Sequence, residues 1–524
     1  MHISPDCLEQ VSVLIENTLP MTNAPGVAIG LIDRDGLFRT FHLGVSDLTT
    51  QAPVTENTLF QIGSISKAFA SIALLQLVEQ GKLKLEDPLS KFLDWFKVKS
   101  DFEPIRIVDL MSHTAGIISG VDQSLSAVIE VYNLRQTQTS TPPGLRFHYS
   151  NVGYKALGLV LEKLAGSQIE QILARMVLQP LSMSHSAAAF TNMDRGGIAT
   201  GYIPFFDDRP CPAPRKLATA PWFENNCADG SIISNLTGMG KYATAILNEM
   251  APLLNKASYQ ELIRPRVSTM DGSHGQYYGL GLFLEEVNEH QIIGHSGGMV
   301  GYSSDLLIDT TMGLGIIVLT NGDCDPSLFT RGILALVNGW QIPESPVQKT
   351  AKKFQEYAGV YYSQSGDLLE LRFDGGSYLV HFDQKVLSAL ALDEERFYIE
   401  EIDPIHALRL TSDPIGAKTL EWGTRYFAEK KPTGQPEINP HPAICGHYRS
   451  YNPWLSNFRV IARNGSLWMV YPSGVEESLT EIEENVYRVG PQGSPEKLVF
   501  GTLIGMVSQS AWLGGQEYNR VFTP

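Results

Sequence analysis

The chain is 524 residues long, 43% apolar, and carries a formal charge of −16. At roughly 150 residues per domain, the length predicts about three units and ample buried core. The acidity argues against nucleic acid or an anionic membrane surface as partner, and the five scattered cysteines (Cys7, Cys211, Cys227, Cys324, Cys445) imply no disulfide framework.

An early helix precedes strands expected over residues 20–60. The run Thr58-Leu59-Phe60-Gln61-Ile62-Gly63 alternates like the end of a strand. Ile65, Phe69, Ile72, Leu75 and Val78 then recur at helical spacing until Gly81, a residue suited to ending a helix. Ser64 therefore falls at a helix N-terminus, where free N–H groups favour developing negative charge. Lys67 lies one turn on, within reach of the Ser64 hydroxyl. An amine partly buried there should lose its proton more readily, as a base at neutral pH requires. The plain alternative is a capping serine followed by a surface lysine.

After the Pro142-Pro143-Gly144 turn, Tyr149-Ser150-Asn151 opens onto a helix over 152–164. In an extended segment Tyr149 and Asn151 point the same way. A phenol can shuttle a proton, and an amide can hold either a substrate carbonyl or Lys67. Ser167-Gln168-Ile169-Glu170 reads as a capping box. Residues 203–223, with Pro204, Pro210, Pro212 and Pro214, read as a long loop ending in Trp222 and Phe223, which either wall a pocket or pack in the core. Strands are expected over 275–322, and a closing helix over 327–338. Within them, the strand 291–294 leads into His295-Ser296-Gly297-Gly298, whose glycines let backbone approach a substrate. The N–H groups of Gly298 and Ser64 are read as an oxyanion hole, with His295 and Gly297 facing the same pocket. The helices between about 65 and 260 would form an inserted subdomain, with the site in the seam.

Beyond Gly339 the composition changes, and 340–349 reads as a linker. Residues 350–524 read as antiparallel β, either two small sheets or one barrel of two halves. Two stretches resemble each other: Gly359-Val360-Tyr361 and Gly446-His447-Tyr448 each begin a strand followed by a hairpin. The halves would be 350–429 and 443–524, separated by the Pro-rich stretch 430–442. His441, Cys445 and His447 match no common zinc spacing, so no metal and no cofactor is expected.

Ser64-x-x-Lys67, Tyr149-x-Asn151 and His295-x-Gly297, in that order, resemble the penicillin-recognising serine hydrolases. These are the class C β-lactamases, D-Ala-D-Ala carboxypeptidases, D-aminopeptidases and related esterases of peptidase family S12. The resemblance covers residues 10–340. It extends to Pro25–Gly30, to Asp109-Leu110-Met111-Ser112-His113-Thr114-Ala115-Gly116 and to Tyr278-Gly279-Leu280-Gly281. It implies a β-lactamase/transpeptidase-like α/β fold over 1–339: an antiparallel sheet, flanking helices and an inserted helical subdomain. A lipocalin-like C-terminal barrel would follow, as in some relatives. It also implies Ser64 as acylated nucleophile, Lys67 as base, Tyr149 as proton carrier, and Asn151, His295 and Gly297 as substrate contacts.

The third motif departs from the Lys-Thr-Gly usual in β-lactamases. Histidine is mostly neutral at pH 7, so the pull on a substrate carboxylate should be weaker. The expected activity is a peptidase or amidohydrolase on small peptides or amino-acid amides. A carboxylesterase or β-lactamase is the alternative within the fold, and a non-turnover β-lactam sensor or scaffold the alternative outside catalysis. Expected partners are small molecules or short peptides, with no nucleic acid and no membrane span; a homo-oligomer is left open. The N-terminus lacks a basic-then-apolar leader, so a cytoplasmic location is expected, or a periplasmic or secreted one if a leader was removed.

Overall fold

The computed structural model describes residues 3–120, 126–213, 216–269, 275–341, 346–430 and 441–522. It divides into two compact units. The first comprises Met1–Ile203, Leu217–Gln341 and Gly493–Pro495; the second comprises Pro204–Lys216, Ile342–Gln492 and Glu496–Pro524.

The first unit is built on a nine-stranded antiparallel sheet. Its strands are β1 (Gly26–Asp33), β2 (Gly36–Asp47), β3 (Ala52–Pro53), β4 (Val267–Ser268), β5 (Tyr277–Tyr278), β6 (Phe283–Val287), β7 (His290–Met299), β8 (Tyr302–Asp309) and β9 (Leu314–Thr320). They lie in the order β3-β2-β1-β9-β8-β7-β6-β5-β4. The two ends of the segment join where β1 pairs with β9, Ile29 opposite Val318. As the sequence predicts, the helical region is inserted between the two groups of strands.

Strand periodicity sorts the side chains. Val27, Ile29 and Leu31 pack with Ile316 and Val318 beneath helices α1 (Pro5–Thr18) and α5, the expected closing helix (Ser327–Asn338). Ala28, Ile32, Ile317 and Leu319 face the larger core instead. That core also takes in α2 (Ser66–Glu79), α3 (Asn151–Ala165) and α4 (Leu236–Leu247). Helix α2 is buried nearly all round, as an element apolar on every face must be. It ends at Glu79 and is capped by Gln80, and Gly81 just beyond takes a φ of +68° that suits glycine.

Two local expectations need correcting. The capping box at Ser167–Glu170 does not form: the helix begins at Ile169 with Gln168 as its cap and no side-chain cap bond. The Ile169 N–H donates instead to Glu162 Oε1 at 2.9 Å. A carboxylate reaching over from α3 replaces the local serine. The Pro-rich loop also contains order, since Tyr202–Pro204 and Leu217–Thr219 pair as a two-stranded sheet.

In the second unit, the antiparallel β structure expected for 350–524 is present, but as two closed barrels rather than two small sheets or one barrel of two halves. Eight strands from Gly359–Ser363 to Arg425–Ala428 close one barrel through Ser363 opposite Phe427. Eight more, from Gly446–Arg449 to Gln516–Val521, close another through Tyr448 opposite Arg520. Closure leaves neither set with an unpaired edge. The repeat visible in sequence is a repeat of contacts. The Tyr361 hydroxyl donates to the Tyr357 carbonyl and the Tyr448 hydroxyl to the Ile444 carbonyl, each at 2.8 Å and four residues back. Each barrel has its own apolar core.

Of the stretch 340–349, residues 342–345 lie outside the described residues, and Pro346 begins a helix, α6 (Pro346–Glu356), that places Phe354 in the first barrel's core. Nearly all of 430–442 also lies outside the described residues. Between the barrels, Arg463 of the second meets Glu421 of the first at 2.8 Å, and Arg409 of the first meets Glu476 of the second at 2.6 Å. Among the described residues no helix is long and apolar enough to cross a membrane.

Candidate active site

Ser64 lies in a 3₁₀ turn, Gly63–Ile65, that runs directly into α2. The turn abuts β7, main chain against main chain. A Cβ on Gly63, where φ is +54°, would come within 2.7 Å of the Gly298 nitrogen; one on Gly297 would come within 2.0 Å of the Ile62 carbonyl oxygen. Only glycine permits this approach. Gly298 differs, because nothing lies within 4 Å of where its Cβ would be. The Ser304 hydroxyl on β8 bridges the two segments, lying 2.9 Å from Ile62 O and 3.4 Å from Gly297 O.

Lys67 is 0% exposed. Its Nζ donates to Ser64 Oγ at 2.9 Å, to Asn151 Oδ1 at 2.8 Å and to the Asp229 carbonyl at 2.8 Å. These three acceptors satisfy an ammonium. After loss of one proton, Asn151 and Asp229 still accept the two remaining N–H groups, and the lone pair is left for Ser64.

Ser150 is extended (φ −135°, ψ 107°) and caps α3, its Oγ accepting from Gly153 N at 3.1 Å. The residues on either side of it therefore face the lysine together. Asn151 bonds Lys67, and the Tyr149 ring centroid lies 4.9 Å from Nζ. The Tyr149 phenol hydrogen-bonds with Ser64, and burial pushes it well above the ordinary phenol range.

His295 is 4% exposed, and both of its ring nitrogens are engaged by the protein. Nδ1 lies 2.5 Å from the Ser296 carbonyl, which can only accept, so Nδ1 carries the hydrogen. Nε2 then accepts from the Tyr278 hydroxyl at 3.0 Å. Burial first, then the charge on Lys67, pushes His295 down to about 3. It is a neutral ring packed 4.9 Å from Phe283, not a cation held out to a carboxylate.

The structure thus brings together Ser64, Lys67, Tyr149, Asn151 and the Gly297-Gly298 strand, with His295 packed behind them. Trp222 and Phe223 pack edge-on against Phe190, at 6.0 and 5.8 Å. Sequence reasoning did not single out Asp229, Tyr278 or His113. Asp229 acts through its carbonyl, which no side-chain pattern reveals. Tyr278 and His113 lie in the Tyr-Gly-Leu-Gly and Leu-Ser-His-Thr segments, the signal that could have found them.

Residues 14–336 match the family model described as Beta-lactamase. Protein flp of Staphylococcus aureus is 25% identical over 330 residues, covering 61% of this chain and 64% of that protein. The chain thus spans less than two thirds of the length of the curated relatives it matches. Among solved structures, the octameric penicillin-binding protein homologue from Pyrococcus abyssi has a TM-score of 0.63 at 21% identity, covering 80% of this chain and 99% of that one. The D-stereospecific amidohydrolase from Streptomyces sp. has a TM-score of 0.52 at 20% identity, covering 63% and 98%. At these identities the structural likeness is one of fold.

Proposed function

This chain belongs to the β-lactamase family, and within it we propose a serine hydrolase that forms an acyl-enzyme on Ser64 and acts on amides of small peptides or amino acids. The observation that carries the reading is the environment of Lys67 Nζ, 2.9 Å from Ser64 Oγ with Asn151 and Asp229 taking its other hydrogens. Ser64 Oγ attacks the carbonyl carbon as its proton passes to the Lys67 amine. The carbonyl π electrons move onto oxygen, which the N–H groups of Ser64 and Gly298 receive. Collapse expels the amine, which takes a proton from Tyr149, resupplied by Lys67. Water then gives a proton to the same pair as it adds to the acyl carbon, and collapse of that second tetrahedral intermediate breaks the bond to Ser64 Oγ, which takes the proton from the pair and is a hydroxyl again.

The proposed substrate class rests on His295. With both nitrogens engaged and the ring neutral, the third motif offers no charge to a carboxylate. That favours amides without an anionic group beside the scissile bond over penicillins. The D-stereospecific amidohydrolase among the structural neighbours is in keeping with this. Esters, which enter the same acylation step with a better leaving group, should also be cleaved. The octameric homologue supports self-association as well, to be checked by light scattering behind a sizing column.

The test is a panel of p-nitroanilides of L- and D-amino acids, p-nitrophenyl esters and nitrocefin, run on wild type and Ser64→Ala, with fluorophosphonate labelling alongside. Anilide and ester turnover lost in Ser64→Ala, together with its labelling, is the expected result. Normal labelling of that variant, or strong nitrocefin turnover alone, would overturn the reading. A burst without steady state would favour a sensor.

A further inference from the structure

Resting on that acyl-enzyme reading, we propose that His113 is the positioning residue that holds the Tyr149 phenol against Ser64 and Lys67. His113 is 1% exposed and adopts φ +56°, a left-handed conformation that costs a non-glycine residue about 1 kcal/mol and persists only where surroundings over-determine it. From that conformation one residue grips both neighbours of Tyr149. The His113 carbonyl accepts from His148 N at 2.8 Å, and its Nδ1 accepts from Ser150 N at 3.0 Å. Between these two bonds, the imidazole face lies 4.2 Å from the Tyr149 ring centroid. Tyr154 and Tyr278 press on the same imidazole at 5.2 and 4.8 Å.

A backbone N–H can only donate, so Nδ1 carries the lone pair and the ring is neutral. Burial and the Lys67 charge both hold it there. Nε2 has no hydrogen-bond partner among the described residues, so it is Nδ1 and the ring face that give this side chain its work. Three properties coincide at one position: tolerance of the left-handed region, an acceptor at the Nδ1 site, and a flat face. Asparagine supplies the first two, and phenylalanine only the last.

The experiment compares His113→Asn, His113→Phe and His113→Ala in the full chain. It measures kcat and KM on the best substrate of the panel, thermal midpoints, and fluorophosphonate labelling of Ser64. Ala and Phe should lose about thirtyfold or more in kcat with KM within about threefold, the cost of a misplaced proton carrier. Asn should recover at least about tenfold over Ala. If Ala fails to fold, Asn against Phe decides. Losses that track the thermal midpoint in every variant, Asn no better than Ala, or unchanged kcat would each overturn the proposal. If wild type itself resists labelling, the acyl-enzyme reading fails and this one falls with it. If wild type labels and the variants turn over normally, only the role of His113 fails.

Discussion

Acid should weaken the catalytic unit through His295, by an amount the site itself sets. An unfolded histidine takes up a proton near pH 6.5, whereas the folded one holds out until about 3. Between those values the unfolded state binds more protons, so stability falls as pH falls, and the contribution of the neutral ring is complete only above pH 6.5. A full pH unit inside that window costs about 1.4 kcal/mol, and because the unfolded group is only half protonated at pH 6.5, the loss between pH 6.5 and 4.5 is about 2 kcal/mol. His113, pushed down in the same direction, adds a parallel slope. In His295→Gln the amide oxygen can still accept from Tyr278 but does not titrate. Urea unfolding of the full chain at pH 6.5, 5.5 and 4.5, read as loss of Ser64 labelling, isolates the catalytic unit. Wild type should lose about 2 kcal/mol more than the variant over that range. Parallel pH curves would refute the assignment of a buried, neutral His295.

Lys67→Met removes the donor shared by Ser64, Asn151 and Asp229 and should cut kcat by about 10²–10⁴-fold, measured on the anilide or ester the wild type cleaves best. Gly297→Ala drives a methyl into the Ile62 carbonyl and should lower stability by about 1–3 kcal/mol, whereas Gly298→Ala enters open space, leaving the thermal midpoint in place while raising KM. Tyr361→Phe and Tyr448→Phe remove equivalent hydrogen bonds and should each cost about 1 kcal/mol, read as urea midpoints of barrel unfolding. Unequal losses would show that the two repeats are not energetically matched.

The elements legible in sequence were those with strong period or punctuation. The closing helix Ser327–Asn338 has its predicted bounds, and α2 runs from the end of the Ser64 turn to Glu79, just short of Gly81. Strands expected over 20–60 and 275–322 do join in one sheet, although the three central ones are buried on both faces and show no alternation. The order of the short motifs pointed to side chains that the fold brings together around Lys67. What escaped depends on partners distant in sequence. The Glu162 carboxylate displaced a local cap at Ile169, and a main-chain carbonyl at Asp229 completes the lysine's surroundings. The hydroxyl that meets His295 Nε2 comes from Tyr278, a residue two strands away. Two Gly-x-Tyr repeats suggested a duplicated β region, but barrel closure depends on pairing between first and last strands that no local pattern encodes.

The glycine-to-glycine contact between the Ser64 turn and β7 has a consequence for how such a site can change over generations. Its reacting centre is framed by peptide groups, which every residue type supplies equally, while the neighbouring rings of Phe147 and Phe283 come from separate positions. Substitutions among those rings could redraw the accepted side chains without disturbing the frame. Substitution at Gly63 or Gly297 would spread the two segments apart in one step. Lineages built on this arrangement should therefore drift freely in what they cleave and hardly at all in how they hold it.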